Sequence, residues 1–277
     1  MTSRYKLIAL CIITLGILLA VIGFSSGGRW TIVQGDDGFS VPGKNGLDHN
    51  TYSLEAFTDL RIDNDYGDVE IIQSDSYSLE TNVMKNTDVT YSLNDGTLTV
   101  ETKSKRKSGI SLGLGTMTTP SIKITVPKDA NLTSINIDSN FGDTILKGLQ
   151  YKQLSLTGDY GDILLKNSIG EHTEIIQSFG DLTVAQLLSN GFVVESEHGD
   201  IDIAGTLNGQ SDITSSFGDT SLQLDNKKSD VGYELKTSFG EVTVNDEDYS
   251  SKTSQLHEGD NQLSVSLLHG DLELSLK

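Results

Sequence analysis

The chain has 277 residues, a formal net charge of −19 and 36% hydrophobic residues, a composition that excludes a disordered chain. The acidic excess argues against a nucleic acid partner, because phosphate binding requires a basic face. The single cysteine, Cys11, excludes a disulfide framework and a thiolate metal site.

The N-terminal segment, residues 1–24, is predicted to be a signal anchor. Arg4 and Lys6 precede eighteen uncharged residues, Leu7–Phe24. A helix of that length spans ~27 Å, close to the ~30 Å of a bilayer's hydrocarbon core. The basic flank should stay in the cytoplasm, which makes the chain a single-pass protein of the cell membrane with its C-terminal domain outside. A cleaved signal peptide is the alternative, although the following GFSSGGRW offers no clear cleavage site.

The next two segments lack a clean repeat. Residues 25–54 are predicted to be an extracytoplasmic linker, and residues 55–130 an irregular β region that caps the repeats. Within the cap, residues 103–120 form a basic loop whose cations precede an apolar stretch. This loop is either a solvated hairpin extension or a contact element for a membrane surface, wall polymer or partner protein. Its cations are Lys103, Lys105, Arg106 and Lys107.

A glycine followed by an acidic residue recurs along the chain, usually after an aromatic residue or a histidine. Five of these glycines, from Gly142 to Gly218, are spaced by nineteen residues. A fixed period of this length is typical of a stacked repeat protein. The pairs are Gly67 and Asp68, Gly142 and Asp143, Gly161 and Asp162, Gly180 and Asp181, Gly199 and Asp200, Gly218 and Asp219, Gly240 and Glu241, and Gly270 and Asp271.

Apolar and polar residues alternate on both sides of each glycine, which predicts two short strands per unit. An antiparallel meander and a parallel solenoid both fit this pattern. The solenoid explains the strict period better, because it stacks equivalent positions ~4.8 Å apart. The predicted fold is all-β: a parallel β-solenoid with 19-residue, two-strand rungs over residues 131–277, preceded by one transmembrane helix. The stacking would place these rings in one ladder: Phe141, Tyr160, Phe179, His198 and Phe217.

The glycine–acid pair has a structural and a functional interpretation. Glycine supplies a positive φ for a tight turn, and the acid can accept hydrogen bonds from turn amides. An acidic ladder that binds Ca²⁺ is the alternative, but calcium-binding β-rolls use a nine-residue GGxGxDxUx unit that this chain lacks. We therefore predict a structural turn motif with no metal site and no cofactor.

The anchor and the repeat together resemble a family of bacterial β-strand repeat proteins known as putative adhesins, over roughly residues 55–277. The resemblance rests on LRIDNDYGDVEI, on NDGTLTV, on SIKITVPKDANLTSINIDSNFGDTIL and on the serial GD strands. It implies a surface protein of the cell envelope, with no catalytic residues to carry over. Some members of the family are encoded beside membrane-stress sensors.

No catalytic constellation stands out in the sequence. Each acid of the coils is expected to have equivalents in neighbouring rungs, whereas the acid pair of a solenoid glycosidase should interrupt the pattern. The histidines lack metal-ligand spacing, and two of them fall in the aromatic column. The chain is predicted not to be an enzyme. Its histidines are His49, His172, His198, His257 and His269.

Three functions are open, and the first two have equal weight. The first is a non-enzymatic, membrane-anchored surface protein of the cell envelope, a putative adhesin or surface binding scaffold. The second is a regulator of the response to envelope stress or antimicrobial peptides, acting through membrane partners, because an acidic exterior attracts cationic peptides. A polysaccharide-active enzyme is the third.

Overall fold

The structure, a computed structural model, describes residues 32–35, 38–40, 47–84, 87–104, 111–112, 120–255, 259 and 261–277, together with Ile13 and Gly16. Within these ranges no helix has the length and hydropathy needed to cross a membrane. The predicted anchor at residues 1–24 lies outside them apart from Ile13 and Gly16.

Apart from Ile13 and Gly16, which are helical, the regular secondary structure of the described residues consists of β-strands and one short 3-10 helix, Lys228–Asp230. The first strands are β1 (Ile32–Gly35), β2 (Gly38–Ser40), β3 (Leu47–Ser53), β4 (Asp59–Asn64), β5 (Asp68–Ser74), β6 (Ser78–Met84), β7 (Thr87–Asn94), β8 (Thr97–Ser104), β9 (Ser111–Leu112) and β10 (Ser121–Pro127). They are followed by β11 (Leu132–Phe141), β12 (Thr144–Lys147), β13 (Gln150–Tyr160), β14 (Ile163–Phe179), β15 (Leu182–His198), β16 (Ile201–Phe217) and β17 (Thr220–Leu224). The last are β18 (Gly232–Phe239), β19 (Val242–Val244), β20 (Glu247–Tyr249), β21 (Lys252–Gln255), β22 (Gln262–His269) and β23 (Leu272–Leu276).

The chain divides into two units. One comprises residues 1–46 and 106–118, where β1 pairs antiparallel with β2 and with β9. The segment expected to be a linker, residues 25–54, therefore contains three strands, β1, β2 and β3, and β1 pairs with a strand from the basic loop. The other unit, residues 47–105 and 119–277, contains all the remaining strands in one sheet.

The larger unit is a stack of parallel rungs. Ile163 of β14 pairs with Leu182 of β15, and Leu182 pairs with Ile201 of β16, so each step between these central rungs is nineteen residues in the chain. The fold is therefore all-β, largely parallel and solenoid-like. The central rungs differ from the two short strands that we predicted, because each is one strand of 17 residues. A single residue with positive φ, such as Asn167 (53°) or Gln186 (57°), redirects the strand while the pairing continues.

The alternation that predicted strands also builds the core. Inward residues of successive rungs stack in columns, and every second residue is buried. Leu165, Val184 and Ile203 form one such column, each at most 2% exposed. Phe192 is the largest fully buried side chain. Each of these side chains contributes about 1.5–3 kcal/mol by leaving water, which makes the columns the main stabilising element of the stack.

The last two rungs stack in reverse chain order. Strands β22 and β23, which come last in the chain, pair with β16 and β17. On their other side they pair with β18 and β19. The rung containing Gly270 therefore lies inside the stack, and the rung containing Gly240 lies at its end.

Antiparallel strands cover both ends of the stack. At one end β21 pairs antiparallel with β18, and β20 with β19. At the other end β6 covers β10, and β7 covers β8. Such capping protects a parallel edge from pairing with another chain. Strands β4 and β5, from the segment expected to be irregular, belong to the regular stack and pair parallel with β11 and β12.

Candidate functional site

The glycines of the repeat form one column along an edge of the stack. Gly180 has a φ of +130°, a conformation that side chains with a Cβ rarely adopt. A Cβ built on Gly180 would collide with the carbonyl oxygen of Gly161, one rung away. The same collision recurs from rung to rung, so only glycine fits this column. In spatial order its members are Gly67, Gly142, Gly161, Gly180, Gly199, Gly218, Gly270 and Gly240.

The acids that follow these glycines bond the rungs together. The Oδ1 atom of Asp181 accepts a hydrogen bond from the backbone N–H of Asp200 at 3.0 Å. The acid therefore reaches the next rung, whereas we expected it to accept from its own turn. Equivalent bonds join Asp68 to Asp143, Asp143 to Asp162, Asp162 to Asp181, Asp200 to Asp219, Asp219 to Asp271, and Asp271 to the N–H of Glu241.

Two carboxyl groups near one end of the stack have pKa values shifted in opposite directions. Burial raises the pKa of Asp68, against a hydrogen bond from Asp143 that lowers it. Hydrogen bonds from Ser134 and Thr58 lower the pKa of Asp59. The lowered pKa of Asp59 therefore stabilises the fold above the ordinary pKa of an aspartate, and this contribution is lost as the pH falls through the pKa of the folded state. For Asp68 the raised pKa has the opposite effect. Its contribution is present below the ordinary pKa and is lost as the pH rises through the pKa of the folded state.

A series of substitutions separates two effects of the aspartates that follow the repeat glycines: the stabilisation by their hydrogen bonds and the repulsion between their charges. Asparagine at Asp162, Asp181 and Asp200 retains an Oδ1 acceptor but removes three like charges that lie about 4.8 Å apart. We expect this triple variant to be at least as stable as the wild type at low salt, and the difference to shrink as salt is added. The triple alanine variant should lose about 1.5–4.5 kcal/mol, because it lacks three hydrogen bonds.

Urea unfolding of the three proteins at low and high salt measures these differences. If the asparagine variant is as unstable as the alanine variant at both salt concentrations, the carboxylate charge, rather than the acceptor oxygen, is what joins the rungs.

The residues before the glycines form a ladder of stacked rings. Neighbouring ring centroids lie 4.6–5.0 Å apart, and their planes differ by 2–14°. The rings cover one another's faces, so their edges point to solvent, and Phe239 at the end of the ladder is 64% exposed. We call this set the ring ladder; in spatial order it is Phe141, Tyr160, Phe179, His198, Phe217, His269 and Phe239.

A polar column lies inside the stack beneath the glycines, and the sequence analysis missed it. Gln177 donates from Nε2 to the carbonyl oxygen of Gly161 at 2.8 Å. Thr237 donates to Gly270 at 2.9 Å, in the same way. Both donors stand three residues before a repeat glycine, where the alternation calls for an apolar side chain. That break in the pattern was the signal in the sequence.

A groove of about 430 Å³ runs beside the ring ladder. Seven hydroxyl-bearing residues and two carboxylates line it, and several of them directly precede a ring of the ladder. The carboxylates are those of Glu195 and Glu197, both exposed. The hydroxyl-bearing residues are Ser178, Thr214, Ser216, Ser238 and Ser266, together with the buried Ser196 and Ser215.

The basic loop is described at residues 103–104, 111–112 and 120. Lys103 lies at the end of β8, and its Nζ forms an exposed ion pair with Glu101 at 3.1 Å. This hydrogen bond raises the pKa of Lys103. The other three cations, Lys105, Arg106 and Lys107, lie outside the described residues, so the contact loop stays a prediction. Across the residues that the structure describes, no group of three or more potential metal ligands occurs.

The parallel stack, with its glycine–acid edge and ring ladder, defines an all-β repeat protein of the solenoid-like kind. The family model described as Toastrack DUF4097 matches residues 57–275, and the chain belongs to this family. The family resemblance found in the sequence is thereby confirmed. No curated protein matches the chain.

Several solved bacterial structures are similar at 14% identity. A "putative adhesin" from Bacteroides fragilis has a TM-score of 0.41, with 85% of this chain and 99% of that chain covered. A "putative cell adhesion protein" from Clostridium sporogenes has a TM-score of 0.38, with coverage of 83% and 100%. A "putative lipid binding protein" from Parabacteroides distasonis has a TM-score of 0.46, with coverage of 84% and 99%.

Proposed function

We propose that this protein is a non-enzymatic binding scaffold of the bacterial cell envelope, held at the membrane by residues 7–24 with its β-domain outside. The observation that carries the proposal is the ring ladder. Its rings include Phe179 (39% exposed), Phe217 (44%) and Tyr160 (48%), all presented to solvent on a rigid stack. Six intervals of ~4.8 Å give a strip ~29 Å long. A continuous exposed strip of aromatic rings, most of them apolar, marks an interaction surface.

The rigidity of the stack supports binding rather than catalysis. Each ring within the ladder is held by parallel pairing of its strand to the rungs on both sides, as Phe179 pairs with Tyr160 and with His198. The acids of the turn are engaged in bonds between rungs, as Asp181 is with Asp200. A preordered surface loses little conformational entropy when a partner binds, which favours affinity.

The ring ladder can be tested against an aromatic residue outside it. Full-length protein in detergent micelles should bind isolated cell-envelope fragments, and the double variant Phe179→Ser, Phe217→Ser should bind about tenfold more weakly, a loss of about 1.4 kcal/mol. The matched control is Tyr91→Ser, because Tyr91 is 41% exposed but lies in β7. Co-sedimentation measures the binding. Equal binding by all three proteins would contradict the proposal.

The orientation across the membrane is tested by cysteine labelling of intact cells. In a Cys11→Ser background, Asp202→Cys places a thiol at an exposed position of the stack. We expect a membrane-impermeant maleimide to label it from outside. The matched control, Ser3→Cys, precedes the apolar segment and should be labelled only after the cells are opened. The reverse pattern would contradict an external β-domain.

A further inference from the structure

The groove beside the ring ladder contains a pair of acids that interrupts the repeat. Glu195 pairs in register with Ile176 on one side and with Thr214 on the other. Glu197 follows Ser196, which pairs with Gln177 and Ser215. Its equivalents in those rungs are therefore serines, Ser178 and Ser216. Our expectation that every acid recurs in neighbouring rungs, which was the argument against a solenoid glycosidase, is thus wrong for this pair.

The two carboxylates act on the same space. Residues two apart on a strand face the same side of the sheet, so Glu195 and Glu197 both project into the groove that they line. No lysine, arginine or histidine is among the described residues that line it. The groove therefore offers hydrogen-bond acceptors and hydroxyls, with a charge that repels anions.

Buried polar side chains lie behind the groove, on the inward face of the same strands. The Oε1 atom of Gln177 and the Oγ atoms of Ser196 and Ser215 are buried and have no hydrogen-bond partner in the described part of the chain. Ser196 lies between Glu195 and Glu197 on the strand, so its side chain faces the opposite side of the sheet. These three side chains therefore belong to the polar column inside the stack, and the groove itself is formed by the outward residues.

A peptide strand does not suit this groove. Four of the strands that form it, β14, β15, β16 and β22, are each paired with rungs on both sides. No free strand edge is therefore available along these four strands for strand addition. An apolar helix is disfavoured too, because hydroxyls and carboxylates line most of the groove.

We infer that this groove binds an extended glycan through its ring hydroxyls or amines, with Glu195 and Glu197 as the principal acceptors. The inference rests on the proposed function and names its ligand class. Sugar hydroxyls and ammonium groups donate to carboxylates, and the apolar C–H groups of a sugar can pack on the ring edges of Phe179 and Phe217 beside the groove. The ~4.8 Å rung repeat is close to the length of one sugar in an extended chain, so successive sugars meet equivalent hydroxyls.

The test uses a variant that restores the repeat. Full-length protein in detergent micelles is titrated calorimetrically with short oligomers of N-acetylglucosamine, glucosamine and galacturonic acid. We expect binding of one or both of the first two and none of the third. The double variant Glu195→Thr, Glu197→Ser, which installs the residue types of neighbouring rungs, should bind at least about tenfold more weakly.

A matched control removes two acids from the other face. Asp202→Thr with Glu273→Ser changes the net charge equally and also installs residue types of adjacent rungs, since Asp202 lies in register with Thr183 and Glu273 with Ser221. This control should bind like the wild type. Thermal unfolding of both variants verifies that they fold.

Each outcome decides the inference. Binding of the glucosamine oligomer alone shows that the amine is the recognised group, and binding of both neutral and amino oligomers shows that hydroxyls suffice. Absence of binding, equal affinity of the Glu195→Thr, Glu197→Ser variant, or equal binding of the galacturonic acid oligomer would overturn the glycan site. Envelope binding that depends on Phe179 and Phe217 would then still support the scaffold, so the two proposals fail separately.

Discussion

Gly180→Val should lower the free energy of unfolding by about 4 kcal/mol or more, because it combines overpacking with backbone strain. For a domain of this size that corresponds to a fall in Tm of about 8–16 °C. The valine Cβ would overlap the carbonyl oxygen of Gly161, and Gly180 holds a φ of +130° that a β-branched residue adopts only under strain. Differential scanning calorimetry and urea unfolding measure the loss.

A neighbouring glycine provides the control for this substitution. Gly158 lies in β13 and has no left-handed φ, and the nearest atom to an added Cβ would be the terminal methyl of Ile163 at 3.3 Å. Gly158→Ala should therefore change stability by no more than about 1 kcal/mol. If the Gly180→Val and Gly158→Ala variants have the same free energy of unfolding, then the turn does not require glycine at position 180.

Leu274→Asp should unfold the end of the stack beyond its own rung. Leu274 is fully buried in β23, which lies between β17 and β19. An unpaired buried carboxylate is strongly destabilising, by about 3–5 kcal/mol. Since β22 and β23 join β18 and β19 to the rest of the stack, the amides of β18 and β19 should lose protection from hydrogen exchange together with those of β22 and β23.

The control is a substitution of the adjacent residue, Glu273. The expected loss of protection in β18 and β19 depends on the order in which the rungs stack. Glu273 is exposed, so Glu273→Ser should change stability by less than about 0.5 kcal/mol. If the rungs stacked in chain order, β23 would be terminal, and its loss would leave β19 paired with β17. Unchanged protection of β18 and β19 in the Leu274→Asp variant would therefore contradict the observed pairing.

The glycan site was only partly accessible from the sequence. The hydroxyls at Ser178 and Ser216 recur with the period and could be placed in one column. Glu195 and Glu197 are evident in the sequence, but only the strand register shows that the neighbouring rungs have no acid at these positions. Glu195, for example, lies in register with Ile176 and Thr214. A period predicts which positions stack, but a groove depends on how neighbouring columns are spaced after the strands bend.

The sequence by itself determined the all-β repeat and its parallel stacking. Alternation around Ile163 and Leu165 requires a half-buried strand, because only a period of two places both side chains inward. One aromatic or histidine ring recurs in each nineteen-residue unit, which favours a stack in which the ring of one unit lies on the ring of the next. The ladder from Phe141 to Phe217 has that arrangement.

Only the tertiary structure decided the order of the last two rungs and the course of the chain before the repeat. The intervals from Gly218 to Gly240 and from Gly240 to Gly270 look like ordinary insertions in the sequence. The interval from Gly240 to Gly270 contains β20 and β21, which cover the end of the stack. After them the chain returns, and β22 pairs with β16. Either stacking order would bury the same apolar residues, so local alternation could not distinguish them. The choice depends on which edge the antiparallel strands cover, and that is a contact between residues distant in the chain.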